Sequence, residues 1–194
     1  MYKRQVHRIG AQGARGHAVE FCGTAIDALS AEARMTLCNM TVEAGARAAL
    51  IAPDGTTDAY VTTHAPQLRG ETLAAARAYW STLRTDDGAV FHVEHAFDAA
   101  DIAPFVTWGT SPDQAMPVTG RVPDPQAEPD ALARLALEKA MDYIGLAPGM
   151  PIAGVPIDRV FIGSCTNGRI EDLRVVAAVS YTHLRAHETR HDIV

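Results

Sequence analysis

Between residues 6 and 178 the apolar and polar positions alternate in some stretches and recur at helical spacing in others. HAVEFCG (residues 17–23) alternates and carries β-branched and aromatic side chains, so it predicts a short strand, and the glycine-rich GAQGARG before it predicts a turn. A turn into helix follows. Ser30 is a suitable N-cap for AEARMTLCNMTVEAG, because its hydroxyl can accept from a first-turn N–H. Met35, Cys38, Val42 and Ala46 recur at helical spacing, and Gly45 supplies the stop. RAALIAP has the composition of a buried strand, ETLAAARAYWSTLR the pattern of an amphipathic helix, and AVFHVEHAF (residues 89–97) the alternation of another strand. From about Pro112 to Pro129 the chain is rich in Pro, Asp and Gly, which predicts a long connection or domain boundary. Beyond it DALARLALEKAMDYIGL predicts a helix capped by Asp130, and IDRVFIGSC a strand that ends at Cys165.

Strands alternating with helices predict the α/β class, in two small parts. The expected division is an α/β domain over residues 6–112, a Pro-rich connection and helix over 113–149, and the start of a second α/β domain over 150–178. No internal repeat is visible.

The two ends do not share this texture. Residues 179–194, VSYTHLRAHETRHDIV, hold three of the eight histidines. Val179–His183 can be written GTC TCT TAT ACA CAT, and the opening MYKRQ can be written GTG TAT AAG AGA CAG with GTG as start codon. The second string is the reverse complement of CTGTCTCTTATACAC, which the tail also contains if Ala178 is encoded GCT. An inverted repeat at both ends resembles the transposon adaptor of sequencing libraries. Residues 1–5 and 179–194 are therefore set apart as scars, and the tail is expected to pack poorly.

Composition narrows the function. A net charge of -6 with scattered Lys and Arg argues against nucleic-acid binding, which needs a concentrated positive field. No apolar run approaches the roughly 20 residues that span a bilayer, so the expectation is a cytoplasmic protein with no membrane role. Cys22, Cys38 and Cys165 are odd in number and widely spaced, which suits reduced thiols. His17, His64, His92 and His95 have no metal-ligand spacing. GAQGARG precedes a strand instead of following one, the wrong order for a dinucleotide-binding turn.

Two places can carry chemistry. In VFIGSCTNGRIEDLR the predicted strand stops at Cys165 and a helix begins near Asn167, with Glu171 and Asp172 in its first turn. Ligands of open α/β sheets bind at such strand ends, and helix-start N–H groups favour a thiolate. A small buried residue in a tight turn is the structural alternative. In LCNMTVEAGA, Asn39 and Glu43 are four apart on the predicted helix and project from one face. Met35, Leu37, Met40, Val42 and Ala46 around them predict that this helix is buried. A buried carboxylate needs a partner, commonly His or Arg, which makes Glu43 a candidate for orienting a catalytic acid or base; an exposed, merely solvating pair is the alternative.

These motifs, with YVTTHAP, VTWGTSPDQ and VPDP, resemble the aconitase family, in the same order and over essentially all of residues 6–178. RMTLCNM and VTWGTSP are more similar to the isopropylmalate branch than to aconitase itself. The resemblance implies a fragment of the multi-domain aconitase fold and a hydro-lyase that moves a hydroxyl between adjacent carbons of isopropylmalate, in leucine biosynthesis, by loss and re-addition of water. It implies that Cys165 is the first ligand of a [4Fe-4S] cluster, that Asn39 hydrogen-bonds near the cluster and that Glu43 pairs with an active-site histidine. The cluster iron left without a protein ligand would bind the substrate as a Lewis acid. A separate small subunit completes the site in this family, and the substrate is a small hydroxy-diacid. Homoaconitase, a methyl-substituted maleate hydratase and a non-enzymatic α/β module with a structural Cys165 are the competing expectations. Two further cluster cysteines lie well downstream of SCTN in the family, and an upstream segment carries catalytic Asp and His; neither is found here. The polypeptide by itself is therefore expected to be inactive.

Overall fold

The computed structural model describes residues 2–163 and 168–183. The chain forms two compact units, residues 1–156 and 157–194.

The first unit is built on a short βαβ crossover. Strand β1 (Ala18–Glu20) pairs in parallel with β2 (Ala48–Leu50), Ala18 opposite Ala48 and Glu20 opposite Leu50. Parallel strands cannot be joined by a tight turn. The crossover consists of the single turn α2 (Thr24–Asp27), helix α3 (Ala31–Met40) and a 3-10 turn (Thr41–Ala44). Ser30 Oγ accepts from Ala33 N at 3.1 Å, so the expected cap is formed. The predicted helix reaches Gly45, but its last turn tightens. Buried Thr41 donates its hydroxyl to Leu37 O at 2.7 Å, competing with the backbone ladder where α-helix gives way to 3-10. Gly45 then turns left-handed with φ 86° and leads into β2. Before β1, helix α1 (Tyr2–Ile9) and the glycine-rich turn pack here, and Val6, Ala14, Ala44 and Ala46 form a small core with Ile9 and Val19. No helix over Tyr2–Ile9 was predicted from the pattern, since half of it had been set apart as a scar.

After β2, Asp54 caps α4 (Gly55–His64), accepting from Thr56 N at 3.0 Å and Thr57 N at 3.1 Å. Helix α5 (Gly70–Trp80) matches the amphipathic pattern, and a surface fork from Arg77 to Asp58 ties it to α4.

A second core in this unit surrounds Trp108. Strands β3 (Phe105–Thr107) and β4 (Ala115–Pro117) pair antiparallel, and Gln114 Oε1 holds the turn between them by accepting from Thr110 N and Ser111 N. Helix α6 (Ala131–Ile144) carries the expected cap, Asp130 Oδ1 accepting from Ala133 N at 2.7 Å, and ends at left-handed Gly145. Its Ala140 and Met141 close over Trp108, Met116 and Val122. The Pro-rich stretch is stitched to the segment after α6 by Val122 N to Met150 O and Gly149 N to Val122 O, at 2.9 and 2.8 Å.

Two expected strands are not formed among the described residues. Residues 89–97 are extended chain without a ladder, and Val90 is 95% exposed. Arg8 anchors their end, donating to Ala96 O at 2.9 Å and lying over the Phe97 ring. In the second unit residues 157–163 also lack a ladder, with Phe161 89% exposed. Alternation or apolarity makes a strand only where a neighbour accepts its N–H groups, and the described sheets have two strands each. Helix α7 (Ile170–His183) follows, its Asp172 Oδ2 accepting from Gly168 N and Arg169 N. The expectation that the tail packs poorly falls mostly on residues 184–194, outside the described residues.

Gly45→Ala should lower stability by about 1–2 kcal/mol, because φ stays positive and the added Cβ would sit 3.2 Å from Arg15 Cα. Urea unfolding measures it as a lower midpoint at unchanged slope.

Candidate functional site

Asn39 and Glu43 are carried by the junction of α3 and the 3-10 turn. Residues wind by about 100° each in an α-helix and about 120° in a 3-10 turn, so the change of winding opens the angle between Asn39 and Glu43 to roughly a quarter turn. The shared face expected from a four-residue helical step is thereby lost. Asn39 is exposed on an open groove of ≈ 320 Å³ lined also by Cys38, Val42, Ala46, Arg47, Ala48 and Ala49. Glu43 is half-buried and does not line that groove. The helix is also less buried than its composition suggested. Leu37 is buried, but Val42 is 67% exposed.

Glu43 lies close enough to Lys3 of α1 for their charges to interact. Burial lowers the Lys3 pKa, and the Glu43 carboxylate opposes that shift. Lys3 Nζ also donates to Thr107 Oγ1 at 2.7 Å, so this ammonium joins the crossover to β3.

The feature that sequence reasoning passed over is Arg34, one turn before Leu37 on α3. It is 5% exposed, in a helix where burial was expected of apolar residues. Its guanidinium donates to Asp54 Oδ1 and Oδ2, both at 2.7 Å, and to Asp27 O at 2.8 Å. Arg34 Nε is buried with no hydrogen-bond partner among the described residues. Asp54 is held to a pKa of about 2, first by the Arg34 hydrogen bond, with the Thr57 and Thr56 N–H groups and the Arg34 charge adding to it against burial. An Asp directly after a strand-like LIAP, followed by Gly-Thr-Thr, was the available signal for this cap.

A cluster does not fit the described residues by themselves. Cys38 and Cys22 line separate grooves, the second with Gly23, Thr24 and residues 96–99. Cys22 is exposed just beyond β1. Burial raises the pKa of the Cys38 thiol, against the thiolate that ligation needs. Among the described residues no three His, Cys, Asp or Glu side chains converge as a metal site. Cys165, with the rest of SCTN, lies outside the described residues. No helix among the described residues is long and apolar enough to cross a membrane.

Residues 4–192 match the Aconitase family (aconitate hydratase), and the chain belongs to that family. Over 176 residues it is 52% identical to the 3-isopropylmalate dehydratase large subunit of Mycobacteroides abscessus. That alignment takes in 90% of this chain and 36% of the relative, so the chain spans little more than a third of the relative's length.

Acidification should expose the Arg34–Asp54 fork. Asp54 is more acidic folded, at about 2, than its ordinary 3.8, so its stabilisation is complete above pH 3.8 and is lost as pH falls through about 2. The loss is on the order of 2 kcal/mol. Urea unfolding at a series of pH values should show this component in the wild-type chain and not in Asp54→Asn.

Proposed function

We propose that this chain is part of the large subunit of an iron–sulfur hydro-lyase that interconverts 2-isopropylmalate and 3-isopropylmalate, working with a separate small subunit. The observation that carries the reading is Cys38-Asn39-Met40 at the end of α3, with Cys38 and Asn39 on an open groove and Glu43 three residues on, in a chain 52% identical to a 3-isopropylmalate dehydratase large subunit. In the interconversion a hydroxyl and a neighbouring hydrogen leave as water, the alkene turns over, and water returns with the two positions exchanged. Atoms balance, and no oxidant is needed.

In that reaction Asn39 offers an amide that can both donate to and accept from a hydroxy-diacid in the groove. Glu43 supplies a carboxylate whose place is set by the 3-10 turn, and its task is to pair with a histidine and hold that histidine's proton in place for acid–base work. Cys165 is assigned one thiolate of a [4Fe-4S] cluster, and two further thiolates must come from outside the segment shared with the relative. Residues 1–5 and 179–194 are assigned to adaptor sequence, which sequencing of the source locus would test directly.

Two preparations test the reading. The chain as written, reconstituted anaerobically and mixed with a small subunit, should hold no stoichiometric iron and sulfide and show no turnover; a full cluster with turnover would overturn this. Residues 6–178 grafted over the aligned segment of the Mycobacteroides abscessus large subunit, with its small subunit, should interconvert the isopropylmalates. In the graft Cys165→Ser should lose cluster iron, whereas Glu43→Gln should lower kcat by about 100-fold with iron retained. Turnover of homoaconitate or a methyl-substituted malate, with none of isopropylmalate, would move the chain to another branch of the family.

A further inference from the structure

We propose that Arg34 and Asp54 are positioning residues for the Asn39–Glu43 turn, a role that rests on the hydro-lyase reading above. The guanidinium reaches three elements at once. It grows from α3, bonds both oxygens of the residue that caps α4, and bonds Asp27 O at the end of α2. Asp54 is engaged on both sides, since Oδ1 also accepts from Thr56 N and Thr57 N. A carboxylate that takes a planar fork on one side and two backbone N–H groups on the other has little freedom to move.

The turn is held on its inner side, where Thr41 donates to Leu37 O and Ala14 N to Ala44 O, and the fork fixes the helix that leads into it. Asn39 is exposed and Val42 is 67% exposed, so the outer side of the turn has little apolar packing to hold it. Its inner side rests on Leu37, Thr41, Ala44 and Ala46, and α3 packs against β2 and α4. Rotating α3 about its axis would carry Asn39 out of its groove and break the fork at the same time. The pair therefore sets the azimuth of the helix on which the candidate amide and carboxylate depend. Lysine in place of Arg34 keeps the charge but cannot make the planar fork and the Asp27 bond together. Serine in place of Asp54 still caps α4 but cannot take the fork.

Hydrogen exchange on this chain and kinetics on the grafted holoenzyme test the proposal together. In Arg34→Lys and Asp54→Ser, amides of residues 38–45 should exchange at least tenfold faster while those of α6 stay at the wild-type rate. In the graft the same variants should lower kcat about tenfold or more, with KM changed less than threefold, cluster iron retained, and the acidic limb of the kcat–pH profile shifted. Unaltered exchange at residues 38–45 overturns the brace. Faster exchange with unaltered kcat and pH profile shows a structural pair only and also overturns the proposal. Two controls are separate: a graft with no isopropylmalate turnover fails the hydro-lyase reading, and a Glu43→Gln variant with intact kcat fails the role given to Glu43, whatever the exchange data show. Should Arg34→Lys not fold, Asp54→Ser carries the same tests, because it preserves the cap.

Discussion

A buried guanidinium without partners costs the fold around it dearly, and in this chain its two terminal nitrogens are met by one carboxylate and one carbonyl, leaving only Nε without a partner among the described residues. Arg34 is 5% exposed and meets Asp54 and Asp27 O at 2.7–2.8 Å. An unpaired charge at that depth would be expensive, so α2, α3 and the start of α4 are obliged to meet where the fork meets. The parallel pair β1–β2 then spans the two ends of the crossover, with Ala18 opposite Ala48. Few large apolar side chains assist. The neighbouring core is Val6 and three alanines, and area burial of that size stabilises weakly. Polar geometry accordingly does much of the locating that a larger core would do elsewhere.

The caps and stops were legible from sequence because they are local. Ser30, Asp130 and Gly45 act within four residues of themselves, and the structure forms all three. Strands depend on partners that local pattern cannot name. Residues 17–23 and 47–53 found each other, but 89–97 and 157–163, patterned as well or better, have no ladder among the described residues. Asp54 and Arg34 show the same limit in side chains. Each looks ordinary in sequence, twenty positions apart, and only the crossover puts them in contact.

The candidate site was legible in part. Asn39 and Glu43 were picked out by residue type and spacing, and both lie on the α3 junction. Their relative direction was not, because the switch from α to 3-10 winding at Thr41 depends on a buried hydroxyl bonding backward to Leu37 O. The chain belongs to the aconitase family over residues 4–192 and spans 36% of the relative's length.

A double-mutant cycle between Arg34 and Asp54 is the most direct test that this pair organises the first unit. Urea unfolding free energies of the wild type, Arg34→Met, Asp54→Ser and the double variant should yield a coupling of about 2 kcal/mol or more, with the double variant little worse than the poorer single one. A coupling indistinguishable from zero, with the two losses simply adding, would contradict the account.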